Sequence, residues 1–290
     1  MIGAPHGGML DSAAHVLADR LSESWGRRVT VENMPGSNGR TALDAVAHAP
    51  PDGSTMLLAV GAPEIYRFLF SHLTFDPGSD FAPVSSVGTF PIMIAVSTAS
   101  PAARIKDFVA YAKWLHGSIT WASPGIGTAP HLTGELFKLM SGIRMTHAPY
   151  DGMTEDFVGD LESGRVNAVF DTPGALLAPV RSHEVHGLAV TSGLRFPIEP
   201  EIPTVAESGM PGYDVSWSYG LYVPSKTPAA IVEKLNTDVV LMLREQAVKE
   251  KFASLGVLAA SSLPEALAAK NAEDVGLWKS VIATANVKVE

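Results

Sequence analysis

Residues 121–132 read W-A-S-P-G-I-G-T-A-P-H-L, and their types and spacing suit the capture of an anion. Gly125 and Gly127 allow a tight bend and are expected to leave backbone N–H groups uncovered. Ser123 and Thr128 bring hydroxyls, Ala129 begins the next helical segment, and His131 adds an imidazole. The turn contains no Lys or Arg. A bound negative charge would therefore rest on backbone dipoles, hydroxyls and His131. Near the start, Ala4-Pro5-His6-Gly7-Gly8-Met9-Leu10-Asp11 repeats the pattern of a glycine turn ahead of a helix. Two such turns suggest two walls of one cleft.

The flanking segments supply the elements that hold these turns. Ile119-Thr120-Trp121-Ala122 is strand-like, and Leu132, Leu136, Leu139 and Met140 recur at helical steps. Thr128 suits the N-cap, and Pro130 fits a first turn where no amide partner is lost. Ala14, Leu17, Leu21 and Trp25 give the first helix, over about 11–25 and stopped by Gly26. Val29 to Glu32 reads as a short strand, and 75–84 as irregular. Thr55 to Val60 is a buried strand running into Gly61-Ala62-Pro63, and Ile92 to Val96 is another. Val166 to Phe170 is a strand carrying Asp171 at its carboxyl end, and Tyr150-Asp151-Gly152 is a turn. Thr227 is expected to cap one late helix, and the capping-box spacing Ser262-Leu263-Pro264-Glu265 to open the last. Strands and helices alternate throughout, which predicts an α/β fold with a largely parallel sheet.

The chain has 290 residues, 46% of them apolar, enough for two domains. Its net charge of −9 argues against nucleic acid, whose partners carry a basic patch. With no cysteine, disulfides, thiolate metal sites and a Cys nucleophile are excluded. No apolar run approaches the roughly 18 residues of a membrane span. No basic segment and apolar core of a signal peptide precede Gly7. The first strand is short, so a leader and the beginning of that strand are expected to be missing.

Gly7-Gly8-x-x-Asp11, Val31-Glu32-Asn33-x-Pro35-Gly36, Pro51-Asp52-Gly53-x-Thr55 and Asp80-Phe81-Ala82-Pro83 form an ordered set with later motifs. These are Ser123-x-Gly125-x-Gly127-Thr128 with His131-Leu132, Gly134-Glu135-Leu136-Phe137, and Pro149-Tyr150-x-Gly152. Leu188-Ala189-Val190-Thr191, Ile202-Pro203-Thr204-Val205 and Gly212-Tyr213 complete it. Together, over nearly the whole length, they resemble the Bug (TctC-type) extracytoplasmic solute receptors. The resemblance implies a two-lobed periplasmic-binding-protein fold of the Venus flytrap, type II-like kind, with two crossover strands. It implies lobe I from 1–95 and 223–290 and lobe II from 96–222, with crossings near 94–97 and 219–223. It further implies a periplasmic, monomeric, non-catalytic receptor for a small carboxylate, serving the membrane components of a tripartite tricarboxylate transporter.

In that family one ligand carboxylate sits on both glycine turns, partly through waters. The implied ligand-binding residues are Pro5, His6, Gly7, Gly8, Met9 and Leu10 on the first turn. Ser123, Gly125, Gly127, Thr128, Ala129 and His131 serve on the second. Gly61, Ala62 and Tyr150 join them, and Asp171 matches the family acid that meets a ligand amine or hydroxyl. The family usually carries a Phe at Ala4 and often a hydroxyl residue at Leu10. Losing the ring widens the pocket, losing the hydroxyl removes a donor, and His6 is an added partner.

Other readings of the same residues are weaker. Gly125-x-Gly127 lacks the third glycine of a dinucleotide fingerprint, since Pro130 stands there. His131 and Glu135 are four apart but belong to no H-E-x-x-H, which favours capping or packing over a metal, and no cofactor is expected. Asp171 could instead cap the helix after Pro173, and Tyr150, Trp217 and Tyr219 could be core packing. No G-x-S-x-G elbow exists, and Ser123 has no base beside it in sequence. An enzyme (hydrolase or lyase) acting on a small carboxylate at the same cleft remains the alternative.

Overall fold

The computed structural model describes residues 1–150 and 157–289. Its first elements are α1 (Met9–Trp25), α2 (Arg40–Ala47), β1 (Leu57–Val60), α3 (Tyr66–Leu69), β2 (Phe81–Pro91), β3 (Met93–Ser97) and α4 (Ile105–Trp114). There follow β4 (Ile119–Ser123), α5 (Ala129–Ser141), β5 (Met145–Pro149), α6 (Phe157–Glu162), β6 (Ala168–Asp171), α7 (Pro173–Arg181) and β7 (Val185–Val190). The last are β8 (Ser216–Pro224), α8 (Ala229–Arg244), α9 (Gln246–Ser254), β9 (Leu258–Ala259) and α10 (Pro264–Ala285). The chain forms two compact units: Met1–Thr89 with Ser218–Ala283 and Lys288–Glu290, and Phe90–Trp217 with Thr284–Val287.

In the first unit the sheet runs β1-β8-β2-β9. Leu57 faces Tyr222 across the antiparallel β1/β8 pair, and Gly88 faces Ala259 across the antiparallel β2/β9 pair. Ile2 bridges both Asn33 and Leu58 in parallel. The segment leading to the first glycine turn therefore runs alongside β1, and both end at the same edge. Ala14, Leu17 and Leu21 bury one face of α1, and Gly26 ends it in the left-handed conformation at φ 61°. Leu43, Val46, Leu57, Tyr222 and Leu267 belong to the core.

In the second unit the sheet runs β5-β4-β6-β3-β7. β4 pairs in parallel with β5 and β6, whereas β3 pairs antiparallel with β6 and β7. Aromatic packing fixes α4 and α5 to this sheet. Phe108 meets Phe137 at 6.3 Å between ring centroids, and Phe170 meets Phe137 at 5.5 Å and Trp121 at 5.2 Å. Four of the strands, β5, β4, β6 and β7, place their carboxyl ends on one edge, and only β3 runs the other way.

Several local expectations are corrected. The largely parallel sheet holds for the second unit, where only β3 runs against the others, but not for the first, where the β1/β8 and β2/β9 pairs are antiparallel. Residues 29–32 form no strand; instead Asn33 makes the bridge to Ile2. Strand β2 begins at Phe81, inside the stretch expected to be irregular. Thr227 is not a cap: α8 starts at Ala229 behind Pro228, and the Thr227 hydroxyl is buried without a partner. Ser262 does not open a capping box, because α10 starts at Pro264 and the Ser262 hydroxyl accepts from the Ser86 amide at 3.0 Å. The turn expected at Tyr150-Asp151-Gly152 lies outside the described residues beyond Tyr150.

Candidate functional site

Strand β4 delivers Ser123 to the carboxyl edge of the second unit's sheet, and the chain turns there into α5. Thr128 is the N-cap of α5: its side chain accepts from the His131 amide at 3.4 Å and donates to the Gly125 carbonyl at 2.7 Å. Pro130 lies in the first turn of α5 and Ala129 at its start, both buried. The bend needs glycine at Gly127, where φ is +81°.

The amides expected to be uncovered are partly taken. Gly127 N–H donates to Nδ1 of His131 at 3.1 Å, and Gly125 N–H reaches the Ser123 hydroxyl at 3.4 Å. The reason is geometric: a side chain on the first helical turn folds back over the bend that precedes it. The first glycine turn behaves alike, since Gly7 N–H donates to the Asp11 carboxylate at 2.8 Å. Helix geometry still leaves Ala129 in α5, and Met9 and Leu10 in α1, without an intrahelical acceptor for their amides.

Beneath the second turn lies a group of side chains that sequence reasoning finds only in part. The His131 ring stacks on Trp121 at 5.7 Å and lies 4.2 Å from the ring of His147, which in turn is 4.4 Å from Trp121. Nε2 of His147 is 2.8 Å from the Ser123 hydroxyl. Burial, helped by the Lys138 charge, pushes His131 down to about 4. Burial, helped by His131 and Lys138, pushes His147 down to about 3. Both imidazoles are neutral near pH 7. Glu135 lies 3.8 Å from His131 but is held by Lys138, whose Nζ is 2.8 Å from both carboxylate oxygens. His147 escapes a reading of the sequence because its place beside Trp121 comes from the β4/β5 register, which no local pattern states.

Tyr150 and Asp171 end on the same edge. Tyr150 comes directly after β5, and its amide donates to the Ser123 carbonyl at 2.9 Å, while its hydroxyl bonds Asp160. Asp171 closes β6, next to β4. It is 1% exposed. Oδ1 accepts from the Thr172 amide at 2.6 Å, and Oδ2 is buried with no hydrogen-bond partner. Burial pushes this carboxyl up to about 7, against the Thr172 hydrogen bonds. The N-cap of α7 is Thr172, so Asp171 does not cap that helix. Ser123, Gly125, Gly127, Thr128, Ala129, His131, Tyr150 and Asp171 thus gather at one edge of one sheet.

In the first unit, Pro5, His6, Gly7 and Gly8 are exposed, and Met9 and Leu10 are half-buried. Gly7 has φ +86°. Asp11 is buried beneath them and also accepts from the Asn33 side chain at 2.7 Å, while that amide reaches the Ala4 carbonyl at 3.1 Å. Burial works to raise the Asp11 carboxyl. The hydrogen bonds from Gly7 and Asn33 and the nearby His15 and His6 outweigh it and hold the group below the usual carboxylate range. His6 points toward this carboxylate, 4.0 Å away, with 82% of its side chain exposed. Gly61 and Ala62 come after β1 and are buried. The Gly61 amide donates to Ser218 at 2.8 Å, and its carbonyl accepts from the Tyr222 hydroxyl at 3.4 Å. A cavity of about 50 Å³ under α1 is lined mainly by apolar side chains such as Leu17, Leu21 and Leu58. Among the described residues no cluster of three His, Cys, Asp or Glu could hold a metal.

Known proteins resemble this chain in sequence and fold. The chain is 33% identical over 279 residues to a UPF0065 protein in the tcbD-tcbE intergenic region of Pseudomonas sp. (strain P51), covering 96% of this chain and 83% of that one. The solved structure of R. palustris Rpa4515 with adipate superposes with a TM-score of 0.88 at 30% identity, covering 99% of this chain and 96% of the other. The periplasmic binding protein BugD superposes with a TM-score of 0.85 at 30% identity, covering 99% and 97%. The fold is that of the periplasmic binding proteins. The tripartite tricarboxylate transporter family receptor profile matches residues 13–287, so the chain belongs to that family of solute-binding receptors, which are not enzymes.

Proposed function

We propose that this receptor works in the periplasm, holds a small carboxylate on its two glycine turns, and passes it to the membrane components of a tripartite tricarboxylate transporter. The observation that carries the reading is the edge where β4, the residue after β5, and β6 present the Ser123 turn, Tyr150 and Asp171 together. Open α/β sheets bind ligands at the carboxyl ends of their strands. The N-terminus of α5 favours negative charge there without a lysine or arginine in the turn. Asp171 gives the site a second character. Its unpartnered oxygen, on a carboxyl raised to about 7, can donate to a second carboxylate or accept from an amine or hydroxyl. A dicarboxylate uses both features, in keeping with the adipate held by Rpa4515. Ala4 and Leu10 then shape which acid fits. In this reading both turns serve one ligand, the two compact units act as the two lobes, with the divisions at Thr89/Phe90 and Trp217/Ser218 rather than at 95/96 and 222/223, and closure is the state in which every ligand contact is made.

The test is a thermal-shift screen of mono-, di- and tricarboxylates, amino acids and aromatic acids. Co-purified ligand is first stripped by denaturing and refolding. A ligand present at 100 times its Kd adds about 2.7 kcal/mol to the folded state by mass action. The expected result is a marked rise in Tm for one acid class, with the acid recovered chemically unchanged. No stabilisation by any acid, or conversion of the acid to product, would overturn the proposal.

A further inference from the structure

Each glycine turn contains the same kind of internal contact. Gly7 N–H donates to Oδ2 of Asp11, and Gly127 N–H donates to Nδ1 of His131, each four residues on. Both glycines take left-handed φ, +86° and +81°. Both acceptors are the third residue of the next helix, α1 or α5. Both are buried, at 6% and 4% exposure. Each is anchored on its other side: Asp11 by the Asn33 side chain at 2.7 Å, His131 by its stack on Trp121. Drawing the glycine amide inward fixes the bend and leaves the amides at the helix start as the outward donors.

The locks differ in charge. An imidazole nitrogen that accepts an amide proton carries none of its own, so His131 is uncharged. Asp11 accepts N–H donors on both oxygens, the state suited to a carboxylate anion. The titratable groups facing it are His6 at 4.0 Å and His15 at 3.4 Å, both exposed by more than half. The turn richer in free helix amides thus has the Asp11 carboxylate beneath it, whereas the acid nearest the other lock, Glu135, is neutralised by Lys138 at 2.8 Å.

Building on the carboxylate-receptor reading, we propose that Asp11 and His131 are paired positioning residues that lock the glycine amides, and that the Asp11 charge limits how tightly the first turn holds an anion. Replacing that charge while keeping the acceptor for Gly7 should strengthen carboxylate binding; in Asp11→Asn the amide nitrogen then faces Asn33, whose partnerless Oδ1 accepts from it once that amide turns over. Between unit charges a few Å apart, in a medium between water and protein, the relief corresponds to about tenfold.

The experiment uses the stripped full chain and two readouts. Amide exchange by NMR at Gly7 and Gly127 reports the locks with no ligand present. Titrations with acetate, succinate and adipate report the charge. In the wild type both glycine amides should be protected although Gly7 lies on an exposed turn; fast exchange at both overturns the lock, whatever any variant does. Asp11→Ala should release Gly7 alone, and Asp11→Asn should keep it protected while binding the carboxylate about tenfold tighter and with less dependence on salt. His131→Asp should weaken binding. Asp11→Asn binding equally or more weakly, with Gly7 still protected, overturns the role of the charge. If the wild type binds none of the three acids, the titrations use the acid that the thermal-shift screen returns; if that screen returns none, the receptor reading fails, while protection at Gly7 and Gly127 still decides the locks.

Discussion

Ser123 Oγ lies 2.8 Å from His147 Nε2, the spacing of a nucleophile and its base. The surroundings remove the chemistry from this pair. Burial beside His131 and Lys138 pushes His147 down to about 3, which makes it a weak proton acceptor. Ser123 is itself 2% exposed. The contact instead ties β4 to β5 beneath the glycine turn. We therefore expect p-nitrophenyl acetate to be hydrolysed at the same rate by the wild type and by Ser123→Ala. A stoichiometric acyl burst present in the first and absent in the second would restore the enzyme reading.

Stability should depend on pH in two opposed ways. His131 and His147 have folded values of about 4 and about 3, below the ordinary value of 6.5. Between these limits the unfolded chain binds more protons, so their contribution is complete above about pH 6.5 and is lost as the pH falls toward 3. Asp171 runs the other way. Its folded value of about 7 lies above the ordinary value of 3.8, so the folded state binds the extra proton, and its contribution is lost as pH rises through 7. In the wild type the trends offset one another between pH 7 and 4. In Asp171→Asn only the histidine trend remains, and Tm should fall continuously from pH 7 to 4. A variant profile parallel to that of the wild type would refute the assignment.

The same carboxyl yields a test at alkaline pH. Above pH 8 the wild type holds a buried carboxylate with one oxygen unpartnered, a costly arrangement. Asn keeps the acceptor for the Thr172 amide and removes the charge. Asp171→Asn should therefore be more stable than the wild type at pH 8.5, on the order of a few kcal/mol by urea unfolding, with the gap closing below pH 7. If the reading of Asp171 as a ligand contact is right, the variant should also lose affinity for ligands that carry an amine. Greater stability with unchanged affinity for every ligand would leave Asp171 outside the site.

Much of this is readable in the chain because it rests on local rules. Gly125, Gly127, Thr128 and Pro130 punctuate the strand-to-helix turn by their own backbone preferences, and α1 and α5 come from apolar spacing. Asp171 stands out as an acid ending an apolar run. The hidden part depends on pairing across distance. The reversed direction of β3 between β6 and β7 is set by its partners, not by its residues. His147 becomes part of the site only through its register opposite Trp121. The capture of the Gly7 and Gly127 amides depends on side-chain direction at Asp11 and His131, which residue type alone does not fix.

Thr128 offers the most direct test of the second turn. Its hydroxyl joins the Gly125 carbonyl to the His131 amide, so one oxygen both closes the turn and caps α5. Thr128→Val keeps the shape and removes both bonds, a change that costs about 1 kcal/mol as a lost N-cap. Gly127→Val forces a β-branched residue to φ +81°, a strain of roughly 1–2 kcal/mol or more. A chain of this size tolerates either loss, and circular dichroism should show both variants folded. Calorimetric titration should nonetheless find carboxylate binding weakened in both. Thr128→Ser, which keeps the oxygen, should stay near the wild type in helix capping and in the protection of the Gly127 amide. Wild-type affinity in Thr128→Val and Gly127→Val would remove this turn from the anion site and leave the charge to the first turn alone.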